Sequence, residues 1–233
     1  MRYENIKSGK FRRRINRFVA EIEIENKIEK CHVKNTGRCE ELFVDGAEIY
    51  VQDHRENMGK RNLKFSLTSI NKCGNIINVD SQIPNHVVDE GLRNGSITLP
   101  DMGKLTLIRR ESKYSDSRFD FYVEDDCGNR AYIEVKGVTL EIGDIAYFPD
   151  APTQRGLKHL GGLCLALEEG YKSFVIFLIQ MTGPKEFRPN AEKQPEFAEK
   201  LAEAEGCGVH VLAYDSIVTE NSITVGKPLK INF

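Results

Sequence analysis

Long apolar runs are missing from this sequence. No segment approaches the roughly 20 apolar residues that a membrane-spanning helix needs, and the basic N-terminal segment lacks the apolar stretch and cleavage site of a signal peptide. None of the six cysteines forms a C-x-x-C pair, and the five histidines are scattered. This spacing argues against a Cys/His zinc site. These absences favour a cytoplasmic protein with reduced cysteines.

An excess of positive charge is also missing, because the formal net charge is −2. The charge is uneven along the chain, however. Residues 1–20 hold seven basic residues and one acidic residue, a charge of +6, so the rest of the chain carries −8. This pattern predicts a localised phosphate-binding face that includes Arg12, Arg13, Arg14 and Arg17. A solvated strand with its basic side chains outward fits the same pattern.

The first third of the chain reads as short strands. Residues 18–25 alternate apolar and polar side chains, the period-2 pattern of a half-buried strand. Further strands are predicted at Lys27–Lys34, Ala47–Gln52, Lys64–Asn71 and Asn75–Val79, with turn residues between them. About five short strands in this length suggest a small β-barrel, and an OB-type barrel is one candidate.

The remainder mixes helices and strands. Helices are predicted from Pro84 to Leu92, from Pro152 to Glu169 and from Pro195 to Glu205. Strands are predicted at Thr106–Glu111, Arg118–Glu124, Tyr132–Val138, Phe174–Met181 and Val209–Tyr214. We therefore expect an α/β domain with a mixed sheet between helices. The predicted domains are 1–84 and 85–233.

Two carboxylates and a lysine are predicted to meet in this second domain. Glu134 and Lys136 lie two apart in a strand and share a face, and a hairpin after Asp120 would place Asp120 beside them. A divalent cation would satisfy clustered carboxylates, and such a site can activate water for phosphodiester hydrolysis. Glu111 could complete the metal shell. An E-V-K triplet on a solvated strand face is the plainer interpretation.

Four stretches carry a resemblance to a known family. They are H-V-K-N-T-G-R-C (32–39), S-R-F-D-F (117–121), E-V-K-G-V-T-L (134–140) and F-P-D-A-P-T-Q-R-G-L-K-H-L (148–160). Together, and in this order, they resemble the signatures of the sugar fermentation stimulation protein family.

The resemblance implies an N-terminal OB-like barrel that binds nucleic acid and a restriction-endonuclease-like domain of the PD-(D/E)xK nuclease superfamily. It implies that Asp120, Glu134 and Glu111 bind one or two Mg²⁺ or Mn²⁺ ions, and that these residues and Lys136 form the catalytic set. The family is described as DNA-binding and is linked to regulation of sugar utilisation.

Further residues are candidates for contact with nucleic acid. Arg155, Lys158 and His159 are predicted to project away from the leucine stripe of their helix, as a basic or simply solvated face. The turn at Asn35, Thr36, Gly37 and Arg38 could form a phosphate nest or only a turn. Tyr114 and Arg118 border Asp120 and could meet a base or the backbone of a bound nucleic acid, and core or rim packing fits them equally well.

Two main functions fit these features. One is metal-dependent phosphodiester hydrolysis of nucleic acid, either single- or double-stranded. The alternative is a non-catalytic DNA-binding transcriptional regulator that retains only the metal site. A metal-binding scaffold for a protein partner is a third interpretation. The sequence leaves the oligomeric state open, a homodimer included.

Overall fold

The chain forms a β-barrel followed by a three-layer α/β unit in a computed structural model, which describes residues 1–35, 37 and 39–233. Two of the candidate residues in the predicted turn, Thr36 and Arg38, lie outside the described residues. No helix of the described chain is long and apolar enough to cross a membrane.

The barrel closes because its third and fifth strands pair. The strand order is β3-β2-β1-β4-β5-β6, and β3 also pairs with β5 in parallel. Five strands therefore form a closed barrel, and β6 extends one edge. Its strands are β1 (Ile6–Asn16), β2 (Val19–Ile24), β3 (Lys27–Val33), β4 (Glu48–Asp53), β5 (Phe65–Lys72) and β6 (Asn75–Asn78).

The second sheet has six strands in the order β15-β14-β12-β9-β8-β7. Its central strands β9, β12 and β14 run parallel, whereas β7, β8 and β15 pair antiparallel with their neighbours. This mixed sheet is the one expected from the sequence. Its strands are β7 (Leu105–Tyr114), β8 (Ser117–Asp125), β9 (Arg130–Val138), β12 (Lys172–Ile179), β14 (His210–Val218) and β15 (Ile223–Pro228).

Three helices cover the two faces of this sheet. Helix α1 (Ile83–Asn94) ends at Gly95, whose φ of 80° is the left-handed conformation that glycine adopts at low cost. Helix α2 (Gln154–Glu168) begins after Thr153, which accepts a hydrogen bond from the backbone N–H of Gly156. Helix α3 (Pro195–Gly206) packs beside α2.

A second, smaller sheet lies next to the main one. It contains β10 (Leu140–Ile142), β11 (Ile145–Phe148), β13 (Glu186–Pro189) and β16 (Lys230–Ile231). Strand β10 follows β9 almost directly, so this small sheet begins where the predicted metal-binding strand ends.

One hydrophobic core joins the barrel to the second domain. It contains barrel residues such as Phe11 and Leu67, and also Phe177 of β12 and Leu160 of α2. A separate cluster fills the other face of the main sheet beneath α1. Because the first core is continuous, the barrel is packed against the sheet and α2. The predicted domain boundary after residue 84 falls within the first turn of α1, and it stays a prediction.

Candidate metal centre

Asp120 and Glu134 come from adjacent antiparallel strands at the point where these strands part. The β8–β9 ladder includes Phe121↔Ile133 but does not extend to the next pair, Asp120 and Glu134. Continuation of the same register places these two residues opposite each other. The parting of the strands frees backbone groups of β9 for contact with the Asp120 carboxylate.

Both oxygens of Asp120 accept a hydrogen bond. Oδ2 accepts from the backbone N–H of Val135 at 2.7 Å, and Oδ1 accepts from Nδ2 of Asn85 on α1 at 2.7 Å. Burial raises the pKa of Asp120, and the negative charge of Glu134 raises it further. Without a counter-charge such as a cation, burial and the charge of Glu134 therefore destabilise the ionised form of Asp120.

Glu134 has a different environment, because positive and donor groups surround one of its oxygens. Oε1 accepts a hydrogen bond from Nζ of Lys136 at 2.6 Å and also contacts Nδ1 of His159. Burial alone would raise the pKa of Glu134, but the hydrogen bond from His159 and the charge of Lys136 outweigh burial and lower it. Glu134 therefore stays ionised although its side chain is only 4% exposed.

The second oxygen of Glu134, Oε2, is buried and has no hydrogen-bond partner among the described residues. A buried carboxylate oxygen without a partner is costly, and a cation bound to it would remove that cost. Two carboxylates close together, one of them with a free oxygen, form an oxygen-rich donor set that a hard divalent cation prefers. The residues present therefore fit a metal ion.

Small residues of α2 bring His159 to this position. A Cβ atom at Gly162 would lie 3.1 Å from the ring of Phe119, so glycine permits a close approach of the helix to the sheet. His159 is 5% exposed and faces Glu134. Its Nε2 atom accepts from Nε of Arg155 at 3.4 Å, an arrangement that leaves the ring proton on Nδ1 for Glu134.

This placement corrects one sequence expectation. His159 does not project to solvent with Arg155 and Lys158, which are exposed. Lys158 instead pairs with Asp116 at 2.9 Å. Contact with DNA remains a prediction for Arg155 and Lys158, whereas His159 contacts a candidate metal ligand.

Glu111 lies across from Asp120 in the β7–β8 register but does not join the carboxylate pair. Its backbone φ is 52°, and its exposed carboxylate pairs with Arg118 at 3.0 Å. Its role as a metal ligand stays a prediction. Sequence reasoning did not identify Asn85, because its contact with Asp120 depends on how α1 packs on the sheet.

The basic N-terminal segment is largely neutralised within the barrel. Arg12 pairs with Glu23 and Asp45, and Arg13 pairs with Glu21. Arg14 donates to the backbone carbonyls of Asn35, Gly37 and Arg17 at 2.5–2.7 Å. The guanidinium of Arg17 lies over the ring of Phe18.

The turn after β3 has a side-chain contact of its own. Oδ1 of Asn35 accepts from the backbone N–H of Gly37 at 2.7 Å, the geometry of an Asx turn. Binding of nucleic acid by these barrel residues stays a prediction.

A second acidic group lies at the far end of the β8–β9 hairpin. Asp125, Asp126 and Cys127 are the one set of three His, Cys, Asp or Glu side chains in the described residues whose ligand atoms lie within 4.8 Å of one another. Each oxygen of Asp125 already accepts two N–H hydrogen bonds from Gly103, Cys127 and Asn129. Asp125 therefore stabilises the turn, and we assign no metal there.

Comparison with known proteins identifies both domains. A family model described as the SfsA N-terminal OB domain matches residues 13–79, and one described as the sugar fermentation stimulation protein RE domain matches residues 82–222. These matches confirm the expected OB-type barrel and the restriction-endonuclease-like domain.

Relatives match along nearly the whole chain. The sugar fermentation stimulation protein homolog of Ruminiclostridium cellulolyticum is 46% identical over 231 residues, covering 99% of each chain. The homolog of Clostridium beijerinckii is 47% identical over 225 residues, covering 97% of this chain and 96% of its own. The solved structure of Pyrococcus furiosus SfsA in complex with Ca²⁺ has a TM-score of 0.89 and 25% identity, covering 100% of this chain and 98% of its own.

Proposed function

The chain belongs to the sugar fermentation stimulation protein family, and we propose that it is a metal-dependent DNA nuclease. The observation that carries this proposal is the asymmetry of Glu134. Its Oε1 contacts Lys136 and His159, and its Oε2 is buried with no hydrogen-bond partner in the part of the chain that the structure describes. Asp120 lies opposite Glu134 if the β8–β9 register is continued by one pair. A second observation supports it, because the related Pyrococcus furiosus structure was determined with Ca²⁺.

Asp120 and Glu134 would hold a divalent cation, Mg²⁺ or Mn²⁺ in the reaction. Such an ion polarises a phosphodiester and lowers the pKa of a bound water. The two acidic oxygens would also relieve their mutual repulsion by binding it, since burial and the neighbouring charge already disfavour the ionised form of Asp120. Glu111 would need to turn away from Arg118 to contribute a third carboxylate.

The other side chains of the site would act by position and charge. The side chain of Lys136 is 13% exposed, against 4% for Glu134, and would stabilise negative charge that develops on the phosphate. His159 and Asn85 are positioning residues, because each fixes one oxygen of a ligand carboxylate. Arg155 fixes His159 in turn and is itself exposed, so it could also contact a phosphate.

The DNA would be held by both domains. OB-type barrels are a common scaffold for oligonucleotide binding. Exposed basic side chains beside the site are supplied by Arg118, Arg155 and Lys158. Arg118 pairs with Glu111, and Lys158 pairs with Asp116. On binding DNA, each basic side chain would exchange its carboxylate partner for a phosphate.

Cleavage assays test the proposal directly. Labelled single-stranded and duplex DNA would be incubated with the protein and Mg²⁺ or Mn²⁺, beside Asp120→Ala and Glu134→Ala. Glu124→Gln is a matched control, because Glu124 lies on the same strand as Asp120, four residues away, outside the site. We expect cleavage by the wild type and the control and none by the two site variants.

Equal trace activity in all four proteins would refute the nuclease proposal. DNA binding that falls steeply with salt, without any cleavage, would favour the alternative of a non-catalytic DNA-binding regulator.

A further inference from the structure

A small cleft lies at the join of the barrel and the second domain. It has a volume of about 160 Å³. Residues from both domains line it, among them Asn35, Ser81, Gly137, Tyr147, Asp150 and Gln180. Pockets for drug-sized ligands are about 300–1,000 Å³, so this cleft suits a single ring system rather than a larger molecule.

Gln180 presents a hydrogen-bond acceptor to this cleft. Its Nε2 donates to the backbone carbonyls of Asn78 and Asp80 and to Oδ1 of Asn78, at 3.0–3.2 Å. Three acceptors around one atom require the –NH₂ group there, so the amide orientation is determined. Gln180 is only 2% exposed, and these three hydrogen bonds all use Nε2 and leave Oε1 to face the cleft. This oxygen is therefore an acceptor that can take a hydrogen bond from a ligand N–H group in the cleft.

Gly137 connects the cleft to the candidate metal centre. It directly follows Lys136, and a Cβ atom there would lie 2.4 Å from Oε1 of Gln180 and 2.7 Å from Pro84. Glycine therefore leaves the Gln180 oxygen uncovered. Pro84 precedes Asn85, the partner of Asp120, so one end of the cleft adjoins the residues around the carboxylates.

The other walls are an aromatic ring and a carboxylate. Tyr147 of β11 is half-buried and pairs with Leu140 across the small sheet. Asp150 is exposed and approaches the turn after β3, since a Cβ atom at Gly37 would lie 2.7 Å from its Oδ2. A carboxylate at the rim disfavours phosphate and favours a group with N–H donors.

A flat aromatic wall combined with acceptors fits the chemistry of a nucleobase. Bases stack on aromatic side chains, and their amino and imino groups donate to amide and carboxylate oxygens. A base within a duplex cannot enter, because its pairing edge is occupied and its faces are stacked.

We infer that this cleft holds one unpaired nucleobase of the DNA strand whose phosphate lies at Asp120 and Glu134. The inference rests on the proposed nuclease function and narrows its substrate to DNA with an unpaired base near the cleaved bond.

Abasic scanning tests this inference. A set of single-stranded oligonucleotides, each with one abasic position, would be titrated into the full-length protein in EDTA, so that binding is measured without cleavage. Loss of one stacked base should weaken wild-type binding roughly 5- to 150-fold at one position. With Tyr147→Ala, binding to the intact strand should fall by a similar factor, and the abasic change at that position should then have no further effect.

Two further variants complete the experiment. Asp150→Asn replaces an exposed side chain with minimal risk to folding, and it should reduce discrimination among the four bases at the sensitive position. Phe233→Ala removes an exposed aromatic ring outside the cleft and should keep the wild-type pattern.

The outcomes separate the two proposals. An abasic penalty that persists in Tyr147→Ala, or the absence of any sensitive position while the wild type still binds and cleaves DNA, would overturn the cleft inference alone. Absence of both DNA binding and metal-dependent cleavage in the wild type would overturn the cleft inference and the nuclease proposal together.

Discussion

Asp120 and Glu134 should respond in opposite ways to loss of charge. The protein destabilises the ionised form of Asp120 and stabilises the ionised form of Glu134. Burial and the charge of Glu134 raise the pKa of Asp120, so its ionised form opposes folding at neutral pH. In Asp120→Asn, the amide oxygen can still accept from Val135, and the new –NH₂ can donate to Asn85 once that amide turns over. We expect the metal-free variant to be at least as stable as the wild type.

Glu134→Gln should be destabilising. The hydrogen bonds from Lys136 and His159 stabilise the ionised form of Glu134, and the substitution removes its charge. A hydrogen bond to a charged group contributes about 1.5–3 kcal/mol. For a chain of this size, 1 kcal/mol shifts Tm by about 2–4 °C, so Tm should fall by roughly 3–12 °C.

Metal addition provides the second half of the test. An ion at a hundred times its Kd stabilises the folded state by about 2.7 kcal/mol, which corresponds to roughly 5–11 °C in Tm. Both variants should lose this gain, and Glu124→Gln should keep it. Thermal melting with and without Mg²⁺ measures all three. The reasoning fails if Asp120→Asn lowers the metal-free Tm as much as Glu134→Gln does, or if either variant keeps the full metal response.

Three further substitutions probe the contacts around the site and the barrel. His159→Ala leaves Oε1 of Glu134 with one donor fewer, and we expect calorimetry to show metal affinity reduced about 10- to 100-fold with little change in the fold. Arg14→Lys cannot span three backbone carbonyls, so urea unfolding should show a loss of about 1–3 kcal/mol, and an unchanged midpoint would contradict this role. Asp125 is buried, which raises its pKa, but N–H hydrogen bonds lower that pKa to about 2. Its contribution to stability is thus present above about pH 4 and lost toward pH 2, so Asp125→Asn should flatten the acid dependence of the urea midpoint across this interval.

Strands with a local pattern could be predicted, and strands that depend on distant partners could not. The helix ending at Gly95 and five of the six strands of the main sheet follow from periodicity and turn residues, whereas β15 was not predicted. Strand β1 was missed because five of its eleven residues are basic and Phe11 is its one buried residue. The small sheet was missed because its strands have two to four residues each and, apart from the β10–β11 hairpin, pair across long sequence distances.

The orientation of α2 shows why a hydrophobic pattern can mislead. Its buried face contains Gly156, His159, Gly162 and Ala166 beside two leucines. The glycines and the alanine contribute little apolar signal, although they are the residues that allow the helix to approach the sheet. A pattern based on leucines alone therefore placed His159 on the solvent side. The contact with Glu134 follows from packing density, which periodicity does not report.

Coupling between the barrel and the metal centre has a physical basis in Gln180. Its backbone carbonyl accepts from the N–H of Asn78 at the end of β6, and its own N–H donates to the carbonyl of Val138 at the end of β9. Its side chain binds Asn78 again and faces Gly137. A shift of the barrel relative to the sheet would break several buried hydrogen bonds at once. A DNA strand bound by the barrel would therefore lie at a fixed distance from the carboxylates of Asp120 and Glu134. A flexible linker between the domains could not impose that distance.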